Sequence, residues 1–572
     1  MPKGWILDEE SSLLLGLGNI IELLLSTPVQ SLSAMSTFVT AISVESQPPS
    51  LHDNTGDLDR LREAVLNELP EATSVEIPFE RLVPLCRKFR DNGFKGTILV
   101  NRLNGRWVVA DVLAGVVEKL PAVALDLGTT HLEARLIDLL TGNLLSEANR
   151  ENAQIGFGTD ILSRIHHATA ARRRKKVVAP DFKDPGMVEL QSAIVSCINE
   201  LCLDLADQAH CSLESLCCLA VSGNTTMVHL FLGLDPYHIC REPYIPQANA
   251  VDPVEARELD LHIHPAAPVW IMPSVGSYFG GDLISGIIAT NISRSKETRM
   301  MIDVGTNAEV VLGNSEWLIA CAGAAGPALE GGVAKMGMRA GPGAVENISI
   351  DSEDYTLSYR TIGDLPARGI CGSGLIDLVA ALFLNRVIDI RGKFRQPDNE
   401  SDPERAAFMA DRLIRQDDQL AFVVVFEEES DQGRAVLLEQ IDLDAMIRSK
   451  AAMYSILTTL VNQVGIEFGD LEEICVAGAF GRHINPERAV TLGMLPDLDL
   501  SVFRVVGNSS LAGAEMVLLD GAARRQCYEI IQKITYLELN VNQEFMIRFS
   551  GSRFIPHTDP SLFPSVPRFD GE

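Results

Sequence analysis

No Cys-x-x-Cys pair occurs in the 572 residues, and residues 1–85 contain no cysteine at all. The eleven cysteines run from Cys86 to Cys527, five of them (Cys197, Cys202, Cys211, Cys217, Cys218) in one stretch. With no secretory leader, this excludes a small disulfide-stapled secreted scaffold. Basic charge is also scarce: 48 Lys and Arg against 77 Asp and Glu leave a net charge of −29. Nucleic acid and anionic membranes both reward clustered basic charge, so neither is expected as the main partner. Long apolar runs are missing too. Leu13–Leu25 is broken by Gly16, Gly18, Asn19 and Glu22 and follows Asp8, Glu9 and Glu10. A bilayer span needs about 20 apolar residues and a signal peptide a basic start, so an amphipathic helix and a cytoplasmic protein are expected.

The chain is long enough for several domains. Residues 45–55 carry Pro48 and Pro49 among polar residues and read as a linker entering a helix, where Leu58, Leu61, Val65 and Leu69 recur at helical spacing before Pro70. The strand-like runs 96–102 and 106–112 flank Asn104-Gly105, a hairpin signal. Residues 46–118 are therefore expected to form a small α+β module, after an N-terminal segment 1–45. From Pro121 onward, apolar strands end in glycine turns and lead into helical patterns, the alternation of α/β layers. The expected lobes span 119–300 and 301–540. An insertion at about 395–435 includes an edge strand at Phe422–Phe426, and the tail 541–572 either wraps the surface or lacks order.

The strongest local signal is A-L-D-L-G-T-T (124–130), repeated as M-I-D-V-G-T-N (301–307). Each copy places a carboxylate, Asp126 or Asp303, at a strand end. There it can hold a hydrated Mg²⁺, which keeps several waters and binds through one or two carboxylates plus phosphates. Gly128 and Gly305 let the backbone approach, and Thr129, Thr130, Thr306 and Asn307 can cradle phosphate oxygens. One such turn alone is an ordinary strand corner; two after apolar strands fit related halves facing a nucleotide. A third turn, I-C-V-A-G-A-F-G (474–481), is suited to backing a ribose or adenine, or else is a strand–helix packing turn.

These turns, in this order, resemble the phosphate 1, phosphate 2 and adenosine motifs of the acetate kinase, sugar kinase, Hsp70 and actin superfamily. G-N-T-T-M-V-H-L-F-L-G (223–233), S-Y-F-G-G-D-L (277–283), A-G-A-A-G-P-A-L-E-G-G (322–332), G-I-C-G-S-G-L-I-D-L (369–378) and G-A-F-G-R-H-I-N-P-E-R-A-V-T-L-G-M-L-P (478–496) narrow it. They resemble the ATP-dependent reductive activators of corrinoid-dependent methyltransferases. The resemblance implies two related actin-like (ribonuclease H-like) α/β lobes around a nucleotide cleft. It also implies ATP and Mg²⁺ as cofactors, and a corrinoid protein as partner whose Co(II) is returned to Co(I). Asp126 and Asp303 would hold Mg²⁺ through water, with Gly128–Thr130 and Gly305–Asn307 on phosphates. Gly478, Ala479 and Gly481 would lie along the adenosine, with Gly326, Gly372 and Gly374 in the blocks that complete the site. Asp282 and Glu309 are candidates to orient the attacking water, or else a helix cap and an ion-pair member. Glu330 is a candidate for ribose or the partner. Cys371 at a helix start is either an activated thiol or a buried structural one.

Family members usually carry an iron–sulfur cluster, and a plant-type [2Fe–2S] domain needs a C-x₄-C-x₂-C…C set. Cys197 and Cys202 have the first spacing, but the next cysteine is Cys211. No cluster is therefore expected, the cysteines read as core, and electrons are expected from a separate low-potential donor. The basic run Arg172–Lys176 is either a dock for an acidic redox partner or a solvated loop. Dimerisation is left open. Two other functions fit the same motifs: a small-molecule kinase, and a protein-binding module latched by ATP.

Overall fold

Apolar strands covered on both faces read as continuous hydrophobic runs, and such runs build the protein. The computed structural model describes residues 37–172, 182–305, 307–323, 334–416, 419–431, 433–478, 484–539 and 542–569.

The N-terminal module is a four-stranded sheet in the spatial order Val39–Glu45, Lys95–Leu103, Arg106–Leu113, Val75–Glu76. Asn104 and Gly105, at φ 50° and 76°, make the two-residue hairpin loop with Leu103 opposite Arg106. The sheet takes in Val39–Glu45, ahead of residue 46, because that segment pairs antiparallel with Lys95–Asn101. Helices Asp57–Glu68 and Phe79–Asp91 close the module over Leu61, Val65, Leu85, Phe89, Ile98 and Val109.

Two six-stranded sheets follow that share the order and sense of five strands and differ in the sixth, Val254–Glu255 in one and Ile534–Tyr536 in the other. The first runs in the order Leu144–Glu151, His131–Asp138, Pro121–Leu127, Leu219–Gly223, Pro268–Ile271, Val254–Glu255. The second runs Phe503–Gly507, Glu473–Ala477, Arg299–Val304, Ala308–Gly313, Leu318–Gly323, Ile534–Tyr536. In each, an antiparallel meander of three strands is extended by parallel strands on the side of its first member. This is the two-lobed α/β architecture expected from the repeated turns.

One helix after each sheet's outer parallel run, Gly281–Ala289 in the first half and Ser509–Leu519 in the second, packs against the other. The crossing is very close. A Cβ on Gly513 would lie 2.4 Å from both Cα and O of Ser285, and one on Gly286 would lie 2.8 Å from the Met301 sulfur. Helix Ser509–Leu519 also lies on Pro121–Leu127 and Leu219–Gly223, strands of the other lobe. A shared apolar layer (Leu283, Ile284, Ile287, Met301, Leu511, Ala514, Leu518) joins the halves. At the junction Tyr278 stacks on Tyr536, ring centroids 5.6 Å apart and planes 16° from parallel, while Phe279 meets Tyr536 edge-on at 4.9 Å.

Two expectations are sharpened. Phe422–Phe426 is not an edge strand: Gln419–Val425 is the middle of a three-stranded sheet, flanked by Leu413–Gln416 and Val436–Glu439, and its residues Ala421–Val425 are buried. The tail does not merely skirt the surface. Helix Gln543–Gly551 packs on the long helix Gln440–Val464, and Ile555, Phe563 and Val566 enter the second lobe's core. The fully buried Lys450 ammonium donates to the carbonyls of Phe554 (2.5 Å) and Pro556 (2.6 Å) and approaches that of Gly493 (3.5 Å). Leu13–Leu25 and Arg173–Lys176 lie outside the described residues. Arg172 pairs with Asp235 and sits over the Tyr237 ring at 4.3 Å.

Candidate functional site

The two halves place their acids in matching register. Asp126, near the end of its strand, lies opposite Glu133 on the antiparallel neighbour, and Asp303 lies opposite Glu309. The turn after Asp126 has no room for a side chain at Gly128, whose Cβ would sit 2.3 Å from the His131 carbonyl. Asn152 pins that turn, its amide side chain donating to Gly128 O (2.9 Å) and its backbone N–H to Thr130 O (2.8 Å). Asn224 donates to the Thr129 hydroxyl at 3.1 Å. In the second turn Gly305 N–H donates to Asn307 O at 2.9 Å; Thr306 lies outside the described residues.

The third turn meets the second. Gly478 has φ 87°, and a Cβ there would lie 2.6 Å from Asp303 Oδ1 and 2.5 Å from Val304 O. Ala479, Gly481, Gly326 and Glu330 lie outside the described residues. Gly372 and Gly374 start a wholly buried helix turn, Gly374 pressed against the Val345 carbonyl, so their described contacts are packing contacts. Cys371 is buried beside them and donates to Val345 O at 3.3 Å.

Asp282 joins the acids from the first turn of helix Gly281–Ala289, where its Oδ1 accepts from Leu283 N–H at 2.9 Å. Desolvation, then the charges of Asp303 and Asp126, raise its pKa to about 7. Desolvation and the Asp126 charge push Asp303 to about 6, opposed by a hydrogen bond from Ser509. Glu309 is driven well above the usual carboxylate range by desolvation and by Asp303 and Asp282. Asp126, Asp282, Asp303 and Glu309 thus share one field of negative charge.

Three residues absent from the motif reading complete the site: Asn508, Ser509 and Ser510, opening helix Ser509–Leu519. Asn508 donates to Asp126 Oδ2 (2.8 Å) and Glu133 Oε2 (3.0 Å), Ser510 to Asp126 Oδ1 (2.7 Å), and Ser509 to Asp303 Oδ2 (3.3 Å). The available signal was G-N-S-S (507–510), an echo of G-N-T-T (223–226); both asparagines cap a helix.

A set of hard carboxylate oxygens under mutual repulsion, beside turns that exclude a Cβ, fits a hydrated Mg²⁺ and phosphate oxygens. Among the described residues no three His, Cys, Asp or Glu side chains converge closely enough to ligate a metal directly. A separate cleft of about 540 Å³ lies between the N-terminal module and the first lobe. Its Lys88 and His264 both bond Asp111.

Family profiles match in three consecutive pieces: the RACo linker region over residues 30–119, the RACo middle region over 121–295, and the C-terminal ASKHA domain of RACo over 297–567. The chain is 32% identical over 425 residues to the corrinoid activation enzyme RamQ of Eubacterium limosum, covering 74% of this chain and 68% of that protein. The chain belongs to the RACo family. A second relative, the [Co(II) methylated amine-specific corrinoid protein] reductase of Methanosarcina barkeri, is 24% identical over 446 residues, 72% of each chain. A solved structure titled reductive activator for corrinoid, iron–sulfur protein superposes with a TM-score of 0.81 at 37% identity, covering 94% of this chain and 82% of that one. Eight of the eleven cysteines are buried, and Cys86, Cys211 and Cys240 are partly exposed. Cys197 and Cys202 line the buried side of helix Pro185–Gln208, and burial lifts the Cys202 and Cys218 thiols to about 12. Among the described residues, no helix is long and apolar enough to cross a membrane.

Proposed function

We propose that this chain is an ATP-dependent reductive activator of a corrinoid protein, a cytoplasmic ATPase that couples nucleotide binding and hydrolysis to one-electron reduction of Co(II) to Co(I). The observation that carries the reading is the matched pair Asp126/Glu133 and Asp303/Glu309, brought to one place from two repeated halves. Membership of the RACo family supports the corrinoid client.

Asp126 and Asp303 would hold Mg²⁺ through its waters, and the Gly128–Thr130 and Gly305–Asn307 turns would receive phosphate oxygens. Bound there, Mg²⁺ supplies charge neutralisation of the phosphates. Asp282 and Glu309, whose surroundings favour the protonated carboxyl, would orient water in the cleft once a cation offsets the negative field. Gly478 lets the third turn close on Asp303 and Val304, beside the place where adenosine would lie. On this reading the electron would come from a separate low-potential donor, since the cysteine spacing matches no plant-type cluster set.

The test mixes the purified full chain with a Co(II) corrinoid protein, a low-potential reductant and MgATP, and follows the cobalt spectrum. Co(I) should appear only with MgATP, and D126A and D303A should each abolish it. Full reactivation by both variants would sink the ATP-driven reading. ATP turnover stimulated by a small hydroxyl or carboxylate compound, with no Co(I), would move the assignment to a kinase.

A further inference from the structure

Asp126 belongs to the first lobe, yet two groups from the second lobe bond its carboxylate oxygens. Asn508 takes Oδ2 and Ser510 takes Oδ1, while the adjacent Ser509 reaches Asp303. Ser510 is itself held by the first lobe: its hydroxyl lies 2.8 Å from that of Ser222, which lies 2.8 Å from that of Ser285. All three serines are buried.

The proton directions in this chain follow from counting. A carboxylate only accepts, and each hydroxyl has one proton. Ser510 donates to Asp126, so Ser222 must donate to Ser510 and Ser285 to Ser222. Every proton of the chain points toward Asp126, and such aligned hydroxyls polarise one another in the same sense. The chain starts in helix Gly281–Ala289, crosses the strand Leu219–Gly223 and ends in helix Ser509–Leu519, so it joins the two helices that meet at Gly513. Displacing that crossing by about 1 Å would carry the 2.7–2.8 Å bonds beyond hydrogen-bond range.

We propose that the Gly507–Ser510 turn is a lobe-to-lobe clasp: Asn508 and Ser510 are positioning residues that orient Asp126 for the hydrated cation, so that metal affinity and lobe position are one equilibrium. The proposal rests on the nucleotide-site reading above. A residue that orients a ligand to a metal typically changes metal affinity by about 10- to 100-fold when removed.

Asn508 also caps its helix, its side chain accepting from Leu511 N–H at 2.9 Å, and the test must separate the two roles. N508S keeps a capping hydroxyl but is too short to reach Asp126 and Glu133. S510A removes the donor to Asp126, and S510T restores a hydroxyl. Mg²⁺ is titrated into the full-length protein with a fluorescent ATP analogue, and urea midpoints are recorded for each variant. N508S and S510A should raise the Mg²⁺ concentration for half-maximal binding by about 10- to 100-fold, with S510T close to wild type and urea midpoints little changed. Hydrogen exchange should show MgATP slowing the amides of helix Ser509–Leu519 in wild type and not in N508S. Variants within about twofold of wild type in Mg²⁺ requirement, or S510T as weak as S510A, would overturn the clasp and leave the nucleotide site standing. Wild-type protein that binds the analogue without any Mg²⁺ dependence would overturn both.

Discussion

The helix crossing at Gly513 and Gly286 allows a paired prediction. At Gly513 an added methyl would meet Ser285 Cα and O at 2.4 Å and Cβ at 2.5 Å. Ordinary contact begins near 3.5 Å, so the helices must part by about 1 Å, and because the obstacle is mostly backbone no rotamer change relieves it. Overpacking of this kind costs about 1–3 kcal/mol, here toward the upper end, against about 1 kcal/mol gained by replacing a helical glycine with alanine. G513A should therefore lose about 2 kcal/mol. At Gly286 the nearest atoms are the Met301 Sδ (2.8 Å) and Cε (2.9 Å) and the Ser509 hydroxyl (3.0 Å). A thioether end swings aside easily, so G286A should be near neutral. Urea unfolding followed by circular dichroism measures the difference, since thermal midpoints move only on the order of 2 °C per kcal/mol in large domains. The same 1 Å parting would pull Asn508 and Ser510 from Asp126, so G513A should also need more Mg²⁺ to bind nucleotide. G513A as stable as G286A, or destabilised with an unchanged Mg²⁺ requirement, would refute the close-crossing argument.

Three further outcomes are expected. K450M leaves the carbonyls of Phe554 and Pro556 without their buried donor; it should cost about 3 kcal/mol and speed limited proteolysis within 542–569, and unchanged cleavage would count against a tail anchored there. Glu400, bonded to Arg405 at 2.5 Å, is held at about pH 2, below its unfolded value. Its stabilisation is therefore complete above about pH 5 and lost as pH falls toward 2; E400Q should be about 1–2 kcal/mol less stable at pH 7 and indistinguishable at pH 2 by urea titration. Under native conditions a thiol reagent should label no more than Cys86, Cys211 and Cys240 quickly, because the other eight cysteines are buried; rapid labelling of a fourth would contradict the packing.

The parts of the site that were legible are those written into one local segment. A carboxylate two residues before a glycine, at the end of an apolar run, needs no tertiary information to be noticed, and its recurrence at Asp303 implied two halves. Asp282 and Glu309 were visible for the same reason, each lying within a few residues of a glycine turn. Asn508, Ser509 and Ser510 were not, because their value lies in reaching Asp126 across 382 and 384 residues of sequence, and a polar triplet at a helix start looks like a cap. Phe422–Phe426 was misplaced at an edge for a related reason: the flanking strands Leu413–Gln416 and Val436–Glu439 are only four residues each, too short to announce a sheet. The tail's prolines suggested surface wrapping; the buried Lys450 on a distant helix and the burial of Ile555, Phe563 and Val566 draw it into the core.

The Tyr278–Tyr536 stack has a practical use. One ring belongs to the S-Y-F-G-G-D segment that leads into Asp282, the other to the outermost strand of the opposite sheet, and their faces lie near-parallel across the junction. Any rotation of one half against the other must tilt or slide these rings. The protein therefore carries its own strain gauge, and near-ultraviolet dichroism can follow its opening without a label.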